Sequence, residues 1–178
     1  MKIITISGHA QNGKDTIAGF IRDSLELNNK RVLITHYADL LKYICRTFFN
    51  WDGNKDEKGR NILQYVGTDV IRKQAPDFWV DFISSILIYF KDNWDWVIIP
   101  DSRFPNEIEK LITNGLDVTH IRVVRSNFKS PLTEEQQNHP SETALDDTEP
   151  NYYIYNEGSV DELKNKINKW VEENLNEG

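Results

Sequence analysis

The chain has 178 residues, of which 39% are hydrophobic and 28% are charged, and its formal net charge is −7. This length suffices for one well-buried core and is short for two, so we expect a single domain over residues 1–178. The acidic balance argues against a nucleic-acid partner, which would require a basic surface. Because the sequence shows no secretory leader and no apolar run of bilayer-spanning length, we expect a cytoplasmic protein without a membrane partner.

Strand and helix patterns alternate along the chain. In chain order, the apolar periodicity predicts strand 2–7, helix 16–27, strand 31–38, helices 39–49, 61–74 and 78–92, strand 96–101, helix 105–115, strands 118–125 and 152–158, and helix 159–175. Ser159 and Glu162 form a capping-box pattern at the start of the last helix. The alternation predicts a three-layer α/β fold, in which a mostly parallel five-stranded sheet carries helices on both faces. Ligands then bind at the carboxyl ends of the strands.

The stretch ISGHAQNGKDTIA, Ile6 to Ala18, matches the phosphate-loop pattern G-x-x-x-x-G-K-[ST] except at its last position. It follows a predicted strand and precedes a predicted helix, which is the context that this motif requires. Backbone N–H groups of such a loop cradle the phosphates of a nucleotide, and its lysine reaches the β- and γ-phosphates. We therefore predict ATP contacts at Gly8, Asn12, Gly13, Lys14, Asp15 and Thr16.

Asp15 stands where the pattern has a hydroxyl, and it can ligate Mg²⁺ directly or through water, or orient an attacking oxygen. The alternative is an acid that simply favours the positive end of the helix. Asp101 closes the strand 96–101, which is the position of the acid that holds the metal in phosphoryl-transfer enzymes, although a strand-end turn also favours aspartate. Arg103 follows beside the same crevice and can grip phosphoryl oxygens in bidentate fashion.

The region 39–94, between the second and third strands, is predicted to be helical and to bind the acceptor. Lys42 and Arg72 lie there, although each taken singly is also typical of a solvated surface cation. Trp79 is predicted to pack in the core or to contribute to an acceptor pocket. The charged run Lys55–Arg60 is predicted to be solvated surface. The long polar stretch Ser126–Asp147 is predicted to be a lid or disordered.

Taken together, these residues resemble the phage-type deoxynucleoside monophosphate kinases of the P-loop kinase superfamily. The resemblance extends over nearly the whole chain and rests on six segments: GKDT (13–16), YADLLK (37–42), LQYVGTDVIR (63–72), DSRFPNEIE (101–109), HPSETALDD (139–147) and YIYNEGSVDELKNKI (153–167). In this interpretation Asp15 belongs to a GKD variant of the loop.

The resemblance implies a nucleoside-monophosphate-kinase-like fold and transfer of the ATP γ-phosphoryl group to a deoxynucleoside 5′-monophosphate in nucleotide biosynthesis, with Mg²⁺ as cofactor. It implies catalytic roles for Lys14, Asp15, Asp101, Arg103 and Arg125, with Asp15 and Asp101 managing the metal. It implies adenine contacts at Asn156 and Gly158, and acceptor binding by Asp39, Lys42, Arg72, Trp79, Arg103 and Glu142. Residues 126–147 would close as a lid.

The implied partners are the small molecules ATP and a deoxynucleoside monophosphate, and the location is the host cytoplasm if a phage encodes the chain. The oligomeric state stays open, with a homodimer as one option. Two other functions remain. A phosphomevalonate kinase of the animal type shares the GKD loop but has a second arginine where this chain has Phe104. A nucleotide sensor without turnover would be expected to lack the acceptor cations Lys42, Arg72 and Arg103.

Overall fold

The computed structural model describes residues 1–126 and 128–174. Its centre is a five-stranded sheet in the order β2-β3-β1-β4-β5, and every neighbouring pair is parallel. The strands are β1 (Lys2–Ser7), β2 (Val32–Ile34), β3 (Trp96–Ile99), β4 (Asp117–Val124) and β5 (Tyr152–Tyr155). The predicted parallel α/β sheet is confirmed. Asn127 of the predicted lid and Leu175 of the predicted last helix lie outside the described residues.

Helices cover both faces of this sheet. They are α1 (Lys14–Leu27), α2 (Ala38–Phe49), α3 (Glu57–Gln64), α4 (Phe78–Tyr89), α5 (Asn106–Thr113), α6 (Glu134–Gln137), α7 (Pro140–Thr143) and α8 (Val160–Asn174). A π-helical segment, Tyr65–Arg72, continues α3 without a break. None of the described helices is long and apolar enough to cross a membrane.

Strand β1 is buried on both faces, which explains its nearly continuous apolar sequence. Ile4 and Ile6 pack in one core with α1 and α8, whereas Ile3 packs in a second core with α4 and α5. Successive side chains of a strand point to opposite faces, so β1 contributes to both cores. The phosphate-loop sequence that follows β1 therefore starts from a buried strand that is paired on both sides.

Three boundaries differ from the sequence-based expectation. The second strand ends at Ile34 because the carboxylate of Asp101 accepts the N–H groups of Tyr37 and Ala38, which start α2. Helix α3 begins four residues before the predicted 61, since the Asp56 side chain caps it by accepting the N–H of Gly59. The polar stretch 126–147 contains the short helices α6 and α7.

The predicted capping box of α8 is present. Ser159 N–H donates to Glu162 Oε2 at 2.7 Å, and Glu162 N–H donates to Ser159 Oγ at 3.2 Å. The reciprocal bonds satisfy two N–H groups that a helix start leaves without partners. They fix the point at which the chain leaves β5 and turns into α8.

Candidate active site

The loop between β1 and α1 passes so close to its neighbours that two of its positions require glycine. Gly8 has φ 139°, and a Cβ there would lie 2.5 Å from the Val123 carbonyl oxygen. Gly13 has φ 94°, and a Cβ there would lie 2.6 Å from Asn156 Nδ2. Both backbone conformations are ones that side chains rarely adopt. The glycines of the motif are thus required by the fold itself.

Two asparagines fasten this loop to the strand ends. Asn12 Nδ2 donates to the Val123 carbonyl at 3.2 Å, and Asn156 Nδ2 donates to the Asn12 carbonyl at 2.9 Å. Asn156 lies directly after β5, as its predicted position required, and its amide is bonded to the loop. Gly158 packs against Glu162 at the start of α8. Their contacts with adenine stay predictions.

Lys14 is buried beneath the loop, where only 8% of the residue is exposed. Its ammonium donates to the carbonyls of Gly8 at 2.7 Å and His9 at 2.9 Å. Burial, followed by the nearby Arg103 charge, lowers the pKa of Lys14 to about 7. The N–H groups in the first turn of α1 have no acceptor within the helix and carry partial positive charge. The loop therefore presents a site for a strongly anionic group.

Asp15 and Thr16 are exposed on the first turn of α1. Asp15 Oδ1 lies 3.4 Å from His36 Nε2, and Asp39 Oδ2 lies 3.3 Å from His36 Nδ1. The hydrogen bond from His36 lowers the pKa of Asp15, and the same bond raises the pKa of His36. Asp15 is thus an ionised, accessible carboxylate that faces the end of β2.

Asp101 accepts two backbone N–H groups, from Tyr37 at 3.0 Å and from Ala38 at 2.9 Å. The bonds join the end of β3 to the start of α2, so the acid has a structural role whether or not it meets a metal. Among the described residues no group of three or more metal-ligating side chains occurs. Mg²⁺ commonly takes only one or two carboxylates together with waters and phosphate oxygens, so Asp15 and Asp101 fit such a site.

Glu142, in the stretch 126–147 predicted to be a lid, bridges Arg103 and the phosphate loop. Its Oε1 accepts Arg103 Nη1 at 2.6 Å, and its Oε2 accepts the backbone N–H of Ala10 at 3.0 Å. Arg103 Nη1 also donates to the Ser141 carbonyl at 3.2 Å. Only 7% of the Glu142 side chain is exposed. An acid of α7 therefore lies between the arginine of the strand end and the phosphate loop.

Arg72, at the end of the π-helical segment, is held by the sequence RFPNE. Its Nη2 pairs with Glu107 Oε1, its Nη1 donates to Asn106 Oδ1 at 3.1 Å, and its guanidinium carbon lies 3.9 Å from the centre of the Phe104 ring. Glu107 also accepts the N–H of Arg103 at 2.7 Å. Burial raises the pKa of Glu107, while Arg72 opposes that effect. Glu107 therefore bonds to Arg72 through the arginine side chain and to Arg103 through its backbone N–H.

A cavity of about 570 Å³ connects these groups. It brings together eight of the predicted site residues, namely Lys14, Asp15, Lys42, Arg72, Trp79, Asp101, Arg103 and Glu142. The indole N–H of Trp79 donates to the Gly67 carbonyl at 3.0 Å, so Trp79 both packs and lines the cavity. Asp39 stands beside the cavity and pairs with Lys42 at 2.8 Å. The remaining predicted residues lie outside its lining: Gly8, Asn12, Gly13, Thr16, Arg125, Asn156 and Gly158.

Arg125 is the predicted catalytic residue that the structure places apart from the others. Its side chain is exposed, its Nη1 lies 3.4 Å from the Gln11 carbonyl, and its guanidinium carbon lies 4.5 Å from the Phe128 ring centre. It borders the outer side of the loop and does not line the cavity. Its role toward transferring charge stays a prediction.

The run Lys55–Arg60, interpreted from the sequence as solvated surface, contributes its two end residues to the cavity: Lys55 is exposed there, and Arg60 is half-buried. Starting α3 at Glu57 puts Arg60, Leu63, Gln64, Gly67 and Thr68 at helical spacing on one face, and all five line the cavity. Extending the predicted helix backwards by one turn would therefore have found Arg60.

Comparison with known proteins identifies the family of this chain. The sequence profile described as deoxynucleotide monophosphate kinase matches residues 38–167. The chain belongs to the deoxynucleotide monophosphate kinase family. The matched segment includes α2, the π-helical segment, the RFPNE sequence and residues 126–147, and most of the residues that line the cavity lie within it.

Two phage relatives carry the family name. The deoxynucleotide monophosphate kinase of Escherichia phage RB69 is 33% identical over 112 residues, and that of Enterobacteria phage T4 is 34% identical over 110 residues. These matches cover 62% and 61% of this chain and 43% of each relative, so the chain spans less than half the length of these two relatives. The shikimate kinase structure from Aquifex aeolicus shares the fold, with a TM-score of 0.53 and 14% identity over 99% of both chains. The predicted P-loop kinase fold is thereby confirmed.

Proposed function

We propose that this protein transfers the γ-phosphoryl group of ATP to a deoxynucleoside 5′-monophosphate, giving the diphosphate and ADP. The observation that carries the proposal is the single cavity that joins Lys14 of the phosphate loop to Lys42 and Arg72 of the helical region 39–94. A donor phosphate on one side and an acceptor phosphate on the other then meet inside one enclosed space. The family membership and the names of the phage relatives support the same reaction.

On the donor side, Lys14 and the first-turn N–H groups of α1 bind the β- and γ-phosphates. Arg103 lies between the loop and the lid, where it stabilises the oxygens of the group in transfer. Asp15 and Asp101 are the residues that would hold Mg²⁺, and this ion supplies, when bound, charge neutralisation between phosphate oxygens. Positioning and electrostatics carry this reaction, so no covalent enzyme intermediate is required.

On the acceptor side, the wall combines apolar and cationic groups. Leu41, Leu63 and Trp79 line the cavity and provide surface for a base, while Lys42 and Arg72 provide charge for its 5′-phosphate. Lid residues 132 and 141–142 complete the enclosure. Closing it excludes water, which would otherwise compete with the acceptor for the γ-phosphoryl group.

Two alternatives are less well supported. A phosphomevalonate kinase of the animal type uses a second arginine at position 104, where Phe104 here stacks on Arg72 and supplies no charge. A sensor without turnover has no need of cations at the acceptor end, and Lys42 and Arg72 both lie in the cavity. Both alternatives share ATP binding with the proposed function, so an acceptor assay separates them.

The test is ADP release from ATP and Mg²⁺ in the presence of each deoxynucleoside monophosphate, each ribonucleotide or phosphomevalonate. Lys14→Ala and Asp15→Asn are assayed beside the wild type. Turnover that requires a deoxynucleoside monophosphate and is lost in both variants supports the proposal. Turnover with phosphomevalonate alone moves the assignment to the first alternative, and ATP binding without acceptor-dependent release moves it to the sensor. A cytoplasmic location and ATP and deoxynucleotide partners belong to the same proposal.

A further inference from the structure

Two cations that face the cavity have no role in the reaction as described so far. Lys55 is exposed at the cavity mouth and Arg60 is half-buried in its wall. Within residues 1–126 and 128–174, neither side chain has an ion pair or a hydrogen bond. The other cations of the cavity all have such partners: Lys14, Lys42, Arg72 and Arg103.

Side-chain hydrogen bonds hold the segment that carries these two cations on either side of Lys55. The Trp51 indole donates to the Asn54 carbonyl at 2.8 Å, and Asp52 accepts the Asn54 N–H at 2.9 Å. On the other side of Lys55, the Asp56 side chain accepts the N–H of Gly59 at 2.7 Å. The backbone is therefore anchored at the residue before Lys55 and at the residue after it.

The pKa of Lys55 shows that other positive charges lie near it. The cavity wall partly desolvates the Lys55 ammonium, and the nearby charges of Lys42, Arg60 and Arg103 lower its pKa further, against the opposing effect of Asp15. Lys55 thus lies near three other cations, and Asp15 only partly balances their effect on it. A phosphate ester that enters the cavity would reduce the repulsion among these cations.

We propose that Lys55 and Arg60 bind the 5′-phosphate of the acceptor and position it toward the phosphate loop. The assignment rests on the proposed function for the identity of the acceptor. Arg60 shares its helical face with Gln64 and Thr68, so it meets the acceptor from the α3 side. Lys55 meets it from the side of Asp15 and Lys42. The two residues act as substrate-binding residues that add their charges to those of Lys42 and Arg72 in the same cavity.

The test compares Lys55→Gln and Arg60→Gln with Lys58→Gln, a matched change on an exposed lysine of the same segment that does not line the cavity. Each cavity variant is expected to raise the KM for the deoxynucleoside monophosphate by about tenfold or more, because one charge-assisted contact is lost. The Kd for ATP should change less than about twofold. Lys58→Gln should match the wild type, and Lys55→Arg and Arg60→Lys should restore most of the acceptor affinity.

Binding without turnover distinguishes this inference from the proposed function. Titration with inorganic phosphate while ADP saturates the phosphate loop, and with a deoxynucleoside that lacks the phosphate, should show that Lys55→Gln and Arg60→Gln weaken phosphate binding and leave nucleoside binding unchanged. If the wild type turns over no deoxynucleotide but the variants still lose phosphate binding, the proposed function fails and the phosphate site stands. If the cavity variants bind phosphate and acceptor as the wild type does, or weaken ATP equally, the assignment is overturned.

Discussion

Glu142 Oε1 accepts a hydrogen bond from Arg103 Nη1 at 2.6 Å, while its other carboxylate oxygen accepts the N–H of Ala10 in the phosphate loop. The Glu142 carboxylate thus lies between Arg103 and a backbone N–H of the loop, both of which favour an anion. Its charge also raises the pKa of Lys14, so it lies near that ammonium as well. A phosphoryl group that enters this position must displace the carboxylate or suffer its repulsion. Glu142 and a donor phosphate would therefore compete for Arg103.

We expect Glu142→Gln to tighten ATP binding by several-fold, because the competing charge is removed while the shape of the side chain is kept. Calorimetric titration of ATP gives the affinity directly. Glu134→Gln, a change at an exposed acid of the same lid, serves as the control. Weaker ATP binding in Glu142→Gln would mean that the acid supports the donor site and does not compete with it.

The affinity for ATP should fall as the pH rises above about 7. Lys14 has a pKa of about 7 in the free protein, and a bound triphosphate raises it, so binding takes up a proton wherever the free lysine is neutral. Calorimetry at pH 8 in two buffers with different heats of ionisation measures that uptake. Lys14→Arg, whose guanidinium stays charged, should show no such uptake from this position. A wild type that takes up no proton would contradict the assignment of a lowered pKa to Lys14.

His120 should make the fold sensitive to acid. Its ring is 3% exposed, and its Nδ1 and Nε2 lie 3.0 Å from Thr5 Oγ1 and 3.1 Å from Ser7 Oγ. Burial lowers the pKa of His120 to about 4, against about 6.5 in an unfolded chain. Between these values the unfolded chain binds a proton that the folded protein does not, so the free energy of unfolding decreases as the pH falls from about 6.5 to about 4.

The loss from His120 amounts to roughly 3 kcal/mol over that window. Urea unfolding at several pH values measures it, and His120→Gln, which cannot titrate, should show a shallower decrease over the same range. Both proteins share the acid-dependent contribution of the carboxylates, so the difference between the two curves isolates the histidine. Parallel curves would show that the histidine titrates alike in the folded and unfolded chains.

Replacing a glycine by alanine should change the free energy of unfolding in opposite directions at Gly59 and Gly19. A Cβ at Gly59 would collide with the Asn54 carbonyl oxygen and lie 2.7 Å from Trp51 Nε1, so we expect Gly59→Ala to destabilise the fold by about 1–3 kcal/mol. Gly19 lies inside α1 with nothing within 4 Å of such a Cβ, so Gly19→Ala should stabilise it by about 0.5–1 kcal/mol. Thermal unfolding of the two variants measures both. A stable Gly59→Ala would show that the 51–59 segment can shift.

Sequence alone predicted those parts of the site that are specified locally. Gly8, Gly13 and Lys14 lie where the loop motif places them, because strand, glycine turn and helix start are encoded by adjacent residues. The pairing of Arg72 with Glu107 could not be predicted, since the two residues lie 35 positions apart in the chain. Lys55 and Arg60 were not predicted to line the cavity, because a charged run in isolation is typical of surface, and Arg60 lies on the cavity face only because α3 begins at Glu57.

The order of the strands also determines when, during synthesis, the phosphate loop can reach its folded conformation. Residue Lys2 pairs with Trp96 on one side and with Asp117 on the other, and the loop itself packs on Val123 and Asn156. An emerging chain thus carries the phosphate-loop residues long before their neighbours exist, and such distant pairing slows folding. A nucleotide that requires the assembled loop then acts as a late ligand, which stabilises the completed fold and leaves earlier intermediates unassisted.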